Sequence, residues 1–384
     1  MTSTAQRPGP GGPGRPSWLP ADWAPAFAAV PRSAFLPDEM WPWDMDARAS
    51  VHTDRRRDPD AWQRWAHANV PIVTQWDDGQ HAGTDPGHVP TSSSSMPHVV
   101  AGMLHDLDLQ PGMRVLELGT GTGWSAALMA HRIGEHNVVS VEVDKTVADK
   151  ARQHLDRAGL HPTLVVGDGL AGHPDGGPYD RIVATMGLRH IPPALLAQLR
   201  PGGVLLAPWG TDYANEDALL RLTAHSDGGA SGPFLRELEF MKARAQRATW
   251  PNNEDYAPDW DTVDSPGTTA LRVGDLDAPL FSPARWSIGL AVPHVVHTIG
   301  QYRPGVHSGW WYSLTDRSWA AVSWQDGATT KVWQDGGRRL FDEVETAWHW
   351  WNDHGRPEHN RYGLTITPDG RQQPWLDHPG QLVH

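Results

Sequence analysis

The segment Arg114–Gly123, which reads RVLELGTGTG, constrains the fold more than any other part of the chain. A short apolar run with one acid, 115–118, ends in three glycines separated by threonines, and an apolar-periodic segment over 124–133 follows. This order predicts a buried strand, a tight glycine turn and a helix, which together open an α/β sheet. Because glycine adopts positive φ at low cost and lets a ligand approach the backbone, we expect a ligand site at this turn.

The spacing of the glycines distinguishes two classes of cofactor. A dinucleotide-binding turn has the pattern G-x-G-x-x-G, whose helix N-terminus receives a diphosphate. Here the third glycine, Gly123, comes one residue early and Trp124 stands in its place. Glu142, at the end of the next predicted strand (138–143), suits the ribose hydroxyls of NAD and S-adenosylmethionine alike. Glu117 inside the first strand, with G-x-G-x-G after it, favours S-adenosylmethionine, which has no phosphates to cradle.

Beyond Glu142, strand and helix patterns continue to alternate, which predicts a parallel sheet. Asp168 follows the predicted strand 163–166, where its carboxylate could accept the adenine amino group or serve only as a turn residue. We predict helices over 145–157 and 192–199, strands over 179–185 and 204–208, and a closing antiparallel pair over 218–223 and 235–243.

Five consecutive hydroxyl residues, Thr91–Ser95, precede a predicted helix that begins near Pro97. One serine could act only as the helix N-cap. Five hydroxyls exceed what a cap requires, and the chain passes from this helix directly into the glycine-turn strand. The alternative is therefore that the run lines an active site. The helix itself is indicated by an apolar stripe at helical spacing, formed by Val100, Met103, Leu104 and Leu107.

At this point the chain resembles the protein-L-isoaspartate O-methyltransferase family over residues 28–245. The resemblance depends on an ordered set of motifs: VPRSAF, SMPHVVAGML, RVLELGTGTGWSAALMA, VVSVEVD, VVGDG, YDRIVAT and IPPALLAQLRPGG. It implies a Rossmann-like α/β methyltransferase with a mostly parallel sheet. It also implies S-adenosylmethionine as the cofactor, S-adenosylhomocysteine as the product, and a peptide or protein substrate bearing aspartate or isoaspartate.

The resemblance also assigns roles by motif. The methionine part of the donor would contact Glu117, Gly119, Thr120, Gly121 and Gly123; the ribose would lie at Glu142 and Val143, and the adenine at Asp168 and Gly169. The family's active-site hydroxyl falls on Ser95, and we hypothesise that Ser93 or Ser94 helps it to hydrogen-bond the substrate carboxylate. An aspartate carboxylate is ionised at neutral pH, so methyl transfer to it needs no strong base.

Three departures put the substrate in doubt: the nearly all-serine run, an added domain after residue 245, and an altered loop. The loop residues expected beside the substrate are Met186, Gly187, Leu188, Arg189 and His190, where the family has Ala-Ala-Pro. Arg189 is either a partner of an acidic substrate or an ordinary surface arginine. The chain resembles long actinobacterial-type relatives, some of which are associated with the maturation of ribosomally made peptides (lanthipeptides, lasso peptides and graspetides). The resemblance implies methylation of an ordinary aspartate, which leads to succinimide and isoaspartate. The alternative is repair of isoaspartyl residues in damaged proteins.

Composition bounds the remaining possibilities. The 384 residues suffice for two domains, and a net charge of −13 argues against a nucleic-acid partner. The sequence has no cysteine, which suits a cytoplasmic location, and it has no apolar run of about 20 residues that would span a membrane. No metal-binding motif such as H-E-x-x-H occurs, so we expect no metal.

The domain prediction follows the shifts in composition. We expect a disordered tail over 1–17 and a lead-in and substrate-side segment over 18–95, with an apolar helix before Val30 and with loops and one short helix over 38–80. The S-adenosylmethionine domain is expected over 96–245, a linker over 246–280, and a smaller Trp-rich α+β domain over 281–384. In the last, we predict strands over 287–292, 295–299, 318–324 and 330–333, one helix, and a hairpin over 361–376. The cluster Trp310, Trp311, Tyr312, Trp319, Trp324 and Trp333 is either core or a peptide-binding face. We expect His294 and His297 to be packed rather than metal-bound.

Overall fold

The computed structural model describes residues 16–256 and 266–383. The chain divides into two compact units, Met1–Asp168 and Gly169–His384. Nearly all of the tail predicted over 1–17, and part of the predicted linker, lie outside the described residues. None of the described helices is long and apolar enough to cross a lipid bilayer. The cytoplasmic location stays a prediction.

In the N-terminal unit, three parallel strands and the helices between them carry the glycine turn. The strands that precede them are β1 (Glu39–Asp44), β2 (Ala49–Ser50), β3 (Thr53–Asp54), β4 (Ile72–Trp76) and β5 (Pro90–Ser94); the parallel ones are β6 (Val115–Leu118), β7 (Val138–Glu142) and β8 (Thr163–Val166). The helices are α1 (Ala24–Ala29), α2 (Pro59–His67), α3 (Pro97–Leu107), α4 (Trp124–Ile133) and α5 (Lys145–Arg157). Strand β7 pairs in parallel with both β6 and β8, which confirms the predicted alternation.

Local sequence explains why these elements begin where they do. Pro97 occupies the first turn of α3, where its missing N–H costs nothing. The four residues of the predicted apolar stripe on α3 are all buried. Asp144 caps α5 by accepting hydrogen bonds from the N–H groups of Thr146 and Val147. Both helices therefore begin where the sequence supplies an N-terminal signal.

The lead-in segment contains more regular structure than predicted. Where loops and one short helix were expected, β1 to β5 form an antiparallel sheet in the order β2-β1-β4-β5, with β3 also paired to β1. Two of these strands have only two residues, and Pro42 lies inside β1, so the sequence carries little period-two signal. The serine run lies in β5, the serine strand, except for Ser95, which follows it; β5 pairs with β4.

The C-terminal unit contains a six-stranded sheet in the order β19-β18-β12-β11-β10-β9. Its strands are β9 (Tyr179–Ala184), β10 (Leu199–Gly210), β11 (Asp217–Ala224), β12 (Ala230–Leu238), β18 (Tyr362–Ile366) and β19 (Gln372–Leu376). β9 and β10 are parallel and the other pairs are antiparallel. The predicted helix over 192–199 is a single turn, α6 (Pro193–Leu196), because β10 already begins at Leu199.

The rest of this unit is a second sheet in the order β13-β17-β16-β15-β14, packed on helices. Its strands are β13 (Gly267–Thr268), β14 (Val295–Arg303), β15 (Val306–Ser313), β16 (Trp319–Gln325) and β17 (Lys331–Asp335); the helices are α7 (Asn253–Tyr256), α8 (Val273–Leu276), α9 (Pro283–Ala291) and α10 (Leu340–Asp353). Trp311, Trp319 and Trp324 are buried, and Trp311 packs in one core with Phe341 of α10. These tryptophans are therefore core residues.

Three predictions for this region were wrong in detail. Residues 287–291 belong to α9 and not to a strand, and Val292 is the residue after the helix. Five successive residues from Trp286 to Leu290 are buried, so the run has no periodicity that distinguishes a helix from a strand. The predicted linker is too long: β13 pairs with β17, and Leu271 and Leu276 lie in the core. The predicted hairpin exists, but it pairs with β12 in the six-stranded sheet.

Candidate functional site

The glycine turn has the conformation that its sequence predicts. Gly119, Gly121 and Gly123 have φ of 92°, 54° and 87°, a region that residues with a Cβ rarely adopt. A Cβ on Gly121 would lie 3.4 Å from the carbonyl oxygen of Ser93 on β5. The turn therefore needs glycine for its conformation and also for its close approach to the serine strand.

Glu142 holds this turn through its carboxylate. One oxygen, Oε2, accepts a hydrogen bond of 2.9 Å from the Gly121 N–H, and Oε1 accepts one of 3.1 Å from the Asp144 N–H. A carboxylate has about four acceptor positions, so two remain for the hydroxyls of a ribose. The geometry fits the predicted role and adds a second one, the orientation of the turn.

Glu117 lies beneath the turn, completely buried within β6. Its Oε2 accepts a hydrogen bond of 2.6 Å from the Ser140 hydroxyl, which in turn lies 2.6 Å from the hydroxyl of Thr120. Burial raises the pKa of the Glu117 carboxyl to about 7. Glu117 and buried Thr120 thus support the turn from below, whereas their predicted contact with the methionine part of the donor stays a prediction.

The residues predicted to hold the adenine and the ribose edge lie at the ends of β7 and β8. Val143 follows β7 and is exposed, as is Asp168 after β8. The N–H of Gly167 donates to the Glu142 carbonyl oxygen at 2.9 Å, which keeps the two strand ends together. Gly169 is buried and begins the C-terminal unit. The roles of Val143, Asp168 and Gly169 toward a cofactor stay predictions.

The three predicted catalytic serines do not share one face. Because side chains alternate along a strand, Ser94 is buried on one side of the serine strand while Ser93 and Ser95 are half-buried on the other. Within the described residues, the hydroxyls of Ser93 and Ser95 make no hydrogen bond, so both can donate to a ligand. Ser94 is engaged with Arg32, and of the two serines proposed to help Ser95, only Ser93 is on its side.

Arg32 is a site residue that the sequence analysis quoted in a motif without giving it a role. Its buried guanidinium donates to the Ser94 hydroxyl at 2.9 Å and to the carbonyl oxygens of Ser94 and Val70 at 2.6 and 3.0 Å. Burial lowers the pKa of Arg32 to about 9, so it stays charged at neutral pH. The guanidinium fixes the serine strand and places a positive charge behind it. The only sign of this role in the sequence was a lone arginine between Pro31 and Ser33 in an otherwise apolar stretch.

The loop predicted to contact substrate, Met186–His190, is held by its own unit. Gly187 and Leu188 exchange backbone hydrogen bonds with Met241, Ala243, Pro208 and Gly210. The side chain of Gln246 receives the N–H groups of Arg189 and His190 and donates to the His190 carbonyl oxygen. Burial lowers the pKa of the His190 imidazole.

The guanidinium of Arg189 is also occupied. It lies 3.2 Å from the carboxylate of Asp212 and donates to the carbonyl oxygens of Gln246 and Thr211. Both members of the ion pair are largely buried. The pairing of Arg189 with an acidic substrate stays a prediction, and the structure gives this side chain a structural partner that the sequence did not reveal.

The strand, glycine turn and helix of the N-terminal unit, with an acid at the end of the next strand, define a Rossmann-like methyltransferase that uses S-adenosylmethionine. A solved protein-L-isoaspartate O-methyltransferase has the same fold, with a TM-score of 0.53 at 20% identity over 94% of this chain and 96% of that one. A family model, Protein-L-isoaspartate(D-aspartate) O-methyltransferase, matches residues 65–246. The chain belongs to the protein-L-isoaspartate O-methyltransferase family.

Curated relatives support the same assignment. Proteins named protein-L-isoaspartate O-methyltransferase are 37% identical over 171 residues in Pyrococcus horikoshii, 43% over 198 in Hyperthermus butylicus and 34% over 218 in Methanococcoides burtonii. The chain covers 70%, 67% and 88% of these relatives, which in turn match 44%, 49% and 56% of this chain. The family, the fold class and the cofactor predicted from the sequence are confirmed.

Proposed function

We propose that this enzyme methylates the side-chain carboxylate of an aspartate or isoaspartate residue in a polypeptide. The observation that carries the proposal is the close approach of the glycine turn, which Glu142 holds, to the serine strand: a Cβ on Gly121 would lie 3.4 Å from the Ser93 carbonyl oxygen and 4.0 Å from the Ser92 hydroxyl. Bound S-adenosylmethionine supplies an electrophilic methyl group on its sulfonium. The positive φ of the three glycines and the two remaining acceptor positions on Glu142 fit such a ligand.

The work of the chain's own residues is then positioning. An aspartate carboxylate is already a nucleophile at neutral pH, so no side chain has to remove a proton. Ser95, with Ser93 on the same side of the chain, donates hydrogen bonds to one carboxylate oxygen and directs the other. Buried Arg32 orders the strand from behind and stabilises negative charge on this side. Correct placement can contribute about 7–11 kcal/mol toward lowering a barrier of this kind.

For the acceptor, we propose an ordinary aspartate in a ribosomally made, modified peptide. The supporting observations are the serine strand, the loop Met186–His190 and the Trp-rich domain, all of which depart from the family pattern. Methylation converts the carboxylate to an ester. The backbone nitrogen of the next residue then attacks the ester carbonyl, methanol leaves with a proton, and the succinimide formed can open to isoaspartate.

The second candidate is methylation of isoaspartyl residues in damaged proteins. The names of the curated relatives favour it, since each is called a protein-L-isoaspartate O-methyltransferase. Both candidates use the same turn and hydroxyls and differ only in the backbone that carries the carboxylate.

One experiment separates them. The purified enzyme and S-adenosylmethionine are incubated with a linear isoaspartyl peptide, the matched aspartyl peptide and a constrained, aspartate-containing precursor peptide, and products are followed by mass spectrometry. Tailoring predicts a methyl ester, or net loss of water, on the constrained peptide. Turnover of the linear isoaspartyl peptide alone would establish repair instead. No methylation of any peptide would contradict the proposed function.

A further inference from the structure

A cavity of about 500 Å³ lies beside the glycine turn in the N-terminal unit. Its inner wall includes Gly121 and Thr122 of the turn, Ser92 of β5 and Thr74 of β4. The lining does not include Glu142, Val143 or Asp168. The cavity therefore adjoins the predicted donor site and shares only Gly121 of its predicted residues.

One wall of this cavity is a polar face of α5. Lys150, Gln153, His154 and Arg157 follow one another at helical i, i+3, i+4 and i+7 spacing, so they form a single stripe along the cavity. Arg55 lines it from the lead-in segment and is stacked on Trp62, with its guanidinium carbon 4.8 Å from the ring centroid. Three cationic side chains thus face one space.

These cations have no anionic partner within the described part of the chain. Lys150, Arg157 and Arg55 form no ion pair there, and the lining contains a single carboxylate, that of Asp38. The charges act on their surroundings: burial lowers the pKa of His154, and Arg157 and Lys150 lower it further. The Nδ1 of His154 donates to the Thr122 carbonyl oxygen at 3.1 Å, which connects the cationic stripe to the turn.

The remaining cations of α5 provide a contrast. Lys145 and Arg152 lie outside the cavity, and both pair with Asp149, at 2.5 and 2.9 Å. On α5, the unpaired cations are thus confined to the face that lines the cavity, in a chain whose net charge is −13. A local positive surface on an acidic protein raises the concentration of anions at that point.

We propose that this cavity binds an acidic side chain of the polypeptide substrate, adjacent to the carboxylate that is methylated. The proposal rests on the proposed function, because it takes the substrate to be a polypeptide held at the glycine turn. Lys150 and Arg157 attract the carboxylate, and the cavity is large enough for one aspartate or glutamate side chain. Because both cations are exposed, we expect a moderate effect that decreases with salt.

The test compares two peptides with the same acceptor residue, one flanked by glutamates and the other by glutamines. For the unmodified enzyme, we expect KM to be about three- to tenfold lower for the glutamate peptide. The double variant Lys150→Gln/Arg157→Gln should lose this preference while kcat for the glutamine peptide stays the same. The matched control, Lys145→Gln/Arg152→Gln, removes the same charge from the same helix and should keep the preference.

Fluorescence anisotropy of both labelled peptides measures binding independently of turnover, and thermal unfolding checks that each variant is folded. Equal affinity of the unmodified enzyme for the two peptides would overturn the proposal. Equal losses in the double variant and the control would also overturn it, since a general field effect would then suffice. If neither peptide is methylated, the proposed function fails, and the anisotropy difference still decides whether the cavity binds acidic side chains.

Discussion

The serine run and the loop Met186–His190 were both predicted to face the substrate, and they differ in how many of their polar groups have hydrogen-bond partners within the protein. In the serine run, the hydroxyls of Ser93 and Ser95 have no hydrogen-bond partner among the described residues. In the loop, the backbone of Gly187 and Leu188 and the guanidinium of Arg189 are all engaged within the C-terminal unit. Polar groups left without partners next to a ligand turn are available for chemistry, whereas groups with complete sets of partners stabilise the fold.

The largest effect is expected for Glu142, because its carboxylate holds the glycine turn beside the serine strand. Glu142→Ala removes the side-chain acceptor of the Gly121 and Asp144 N–H groups and of the expected ribose hydroxyls, so the Kd for S-adenosylhomocysteine should rise about 100-fold. Isothermal titration calorimetry measures it. The Glu142→Gln variant keeps one side-chain oxygen as an acceptor, so its Kd should lie between those of the unmodified enzyme and Glu142→Ala. An unchanged Kd in Glu142→Ala would remove this residue from the cofactor site.

Next in size is Ser95, for which Ser94 provides a matched control. Ser95→Ala should lower kcat about 30-fold with little change in Tm, because a hydrogen bond to a charged group is worth about 1.5–3 kcal/mol. Ser94→Ala removes an acceptor of the buried Arg32 and should instead lower Tm. Steady-state kinetics and thermal unfolding of both variants distinguish the two roles. If Ser95→Ala changed only cofactor affinity, its proposed role would be wrong.

A smaller effect, on stability and not on catalysis, is expected for the Arg189→Ala variant. Arg189→Ala removes the ion pair with the largely buried Asp212 carboxylate, which keeps its contact with exposed His294, and also two hydrogen bonds to backbone carbonyl oxygens. The free energy of unfolding should therefore fall by about 2 kcal/mol. We expect the KM for peptide to stay the same. Urea unfolding and steady-state kinetics measure these quantities. A raised KM with unchanged stability would show that the loop also faces the substrate and would end the contrast with the serine strand.

The smallest effect is expected in the pH dependence of stability, and it arises from His297 in the Trp-rich domain. His297 is stacked on Tyr213 at 4.0 Å between ring centroids, and burial lowers its pKa to about 3. The folded state thus excludes a proton that the unfolded chain binds below about pH 6.5, so stability should fall as the pH is lowered through that value. Between pH 7 and 5.5 we expect a loss of about 1 kcal/mol.

His297→Gln should reduce this pH dependence, as measured by urea unfolding at the two pH values. Part of it should remain, since burial also lowers the pKa of His359, to about 4. An identical slope in the variant and the unmodified protein would mean that His297 is not the group excluded from protonation.

The sequence predicted those parts of the fold whose signals are local. The strand β6, its glycine turn, α5 and β8 were all located correctly, since apolar periodicity and glycine spacing are contained in a few residues. The sheet of β1 to β5 was missed because its strands are too short to show a period. The helix α9 was taken for a strand because its residues are buried on every side.

The candidate site was predictable to a similar extent. Motifs singled out Gly121 and Glu142, which the structure brings together, and Ser95, whose role stays a prediction. The partners of Arg189 and Arg32 could not be predicted, because Asp212 and Ser94 come close to them only through tertiary folding. The cationic stripe that begins at Lys150 was visible in the spacing of α5, but its meaning depends on the cavity beside it.

The pairing of β18 with β12 has a consequence for how the chain is divided. The Trp-rich sheet lies between these two strands in sequence, so it is an insertion within the six-stranded sheet and not an appendage at its end. Cutting the chain before the insertion would also remove β18 and β19 and leave the edge of β12 open to pairing with other chains. A minimal enzyme would therefore have to excise the inserted segment and rejoin the two sides, and β18 and β19 have to be synthesised before this edge of the sheet can close.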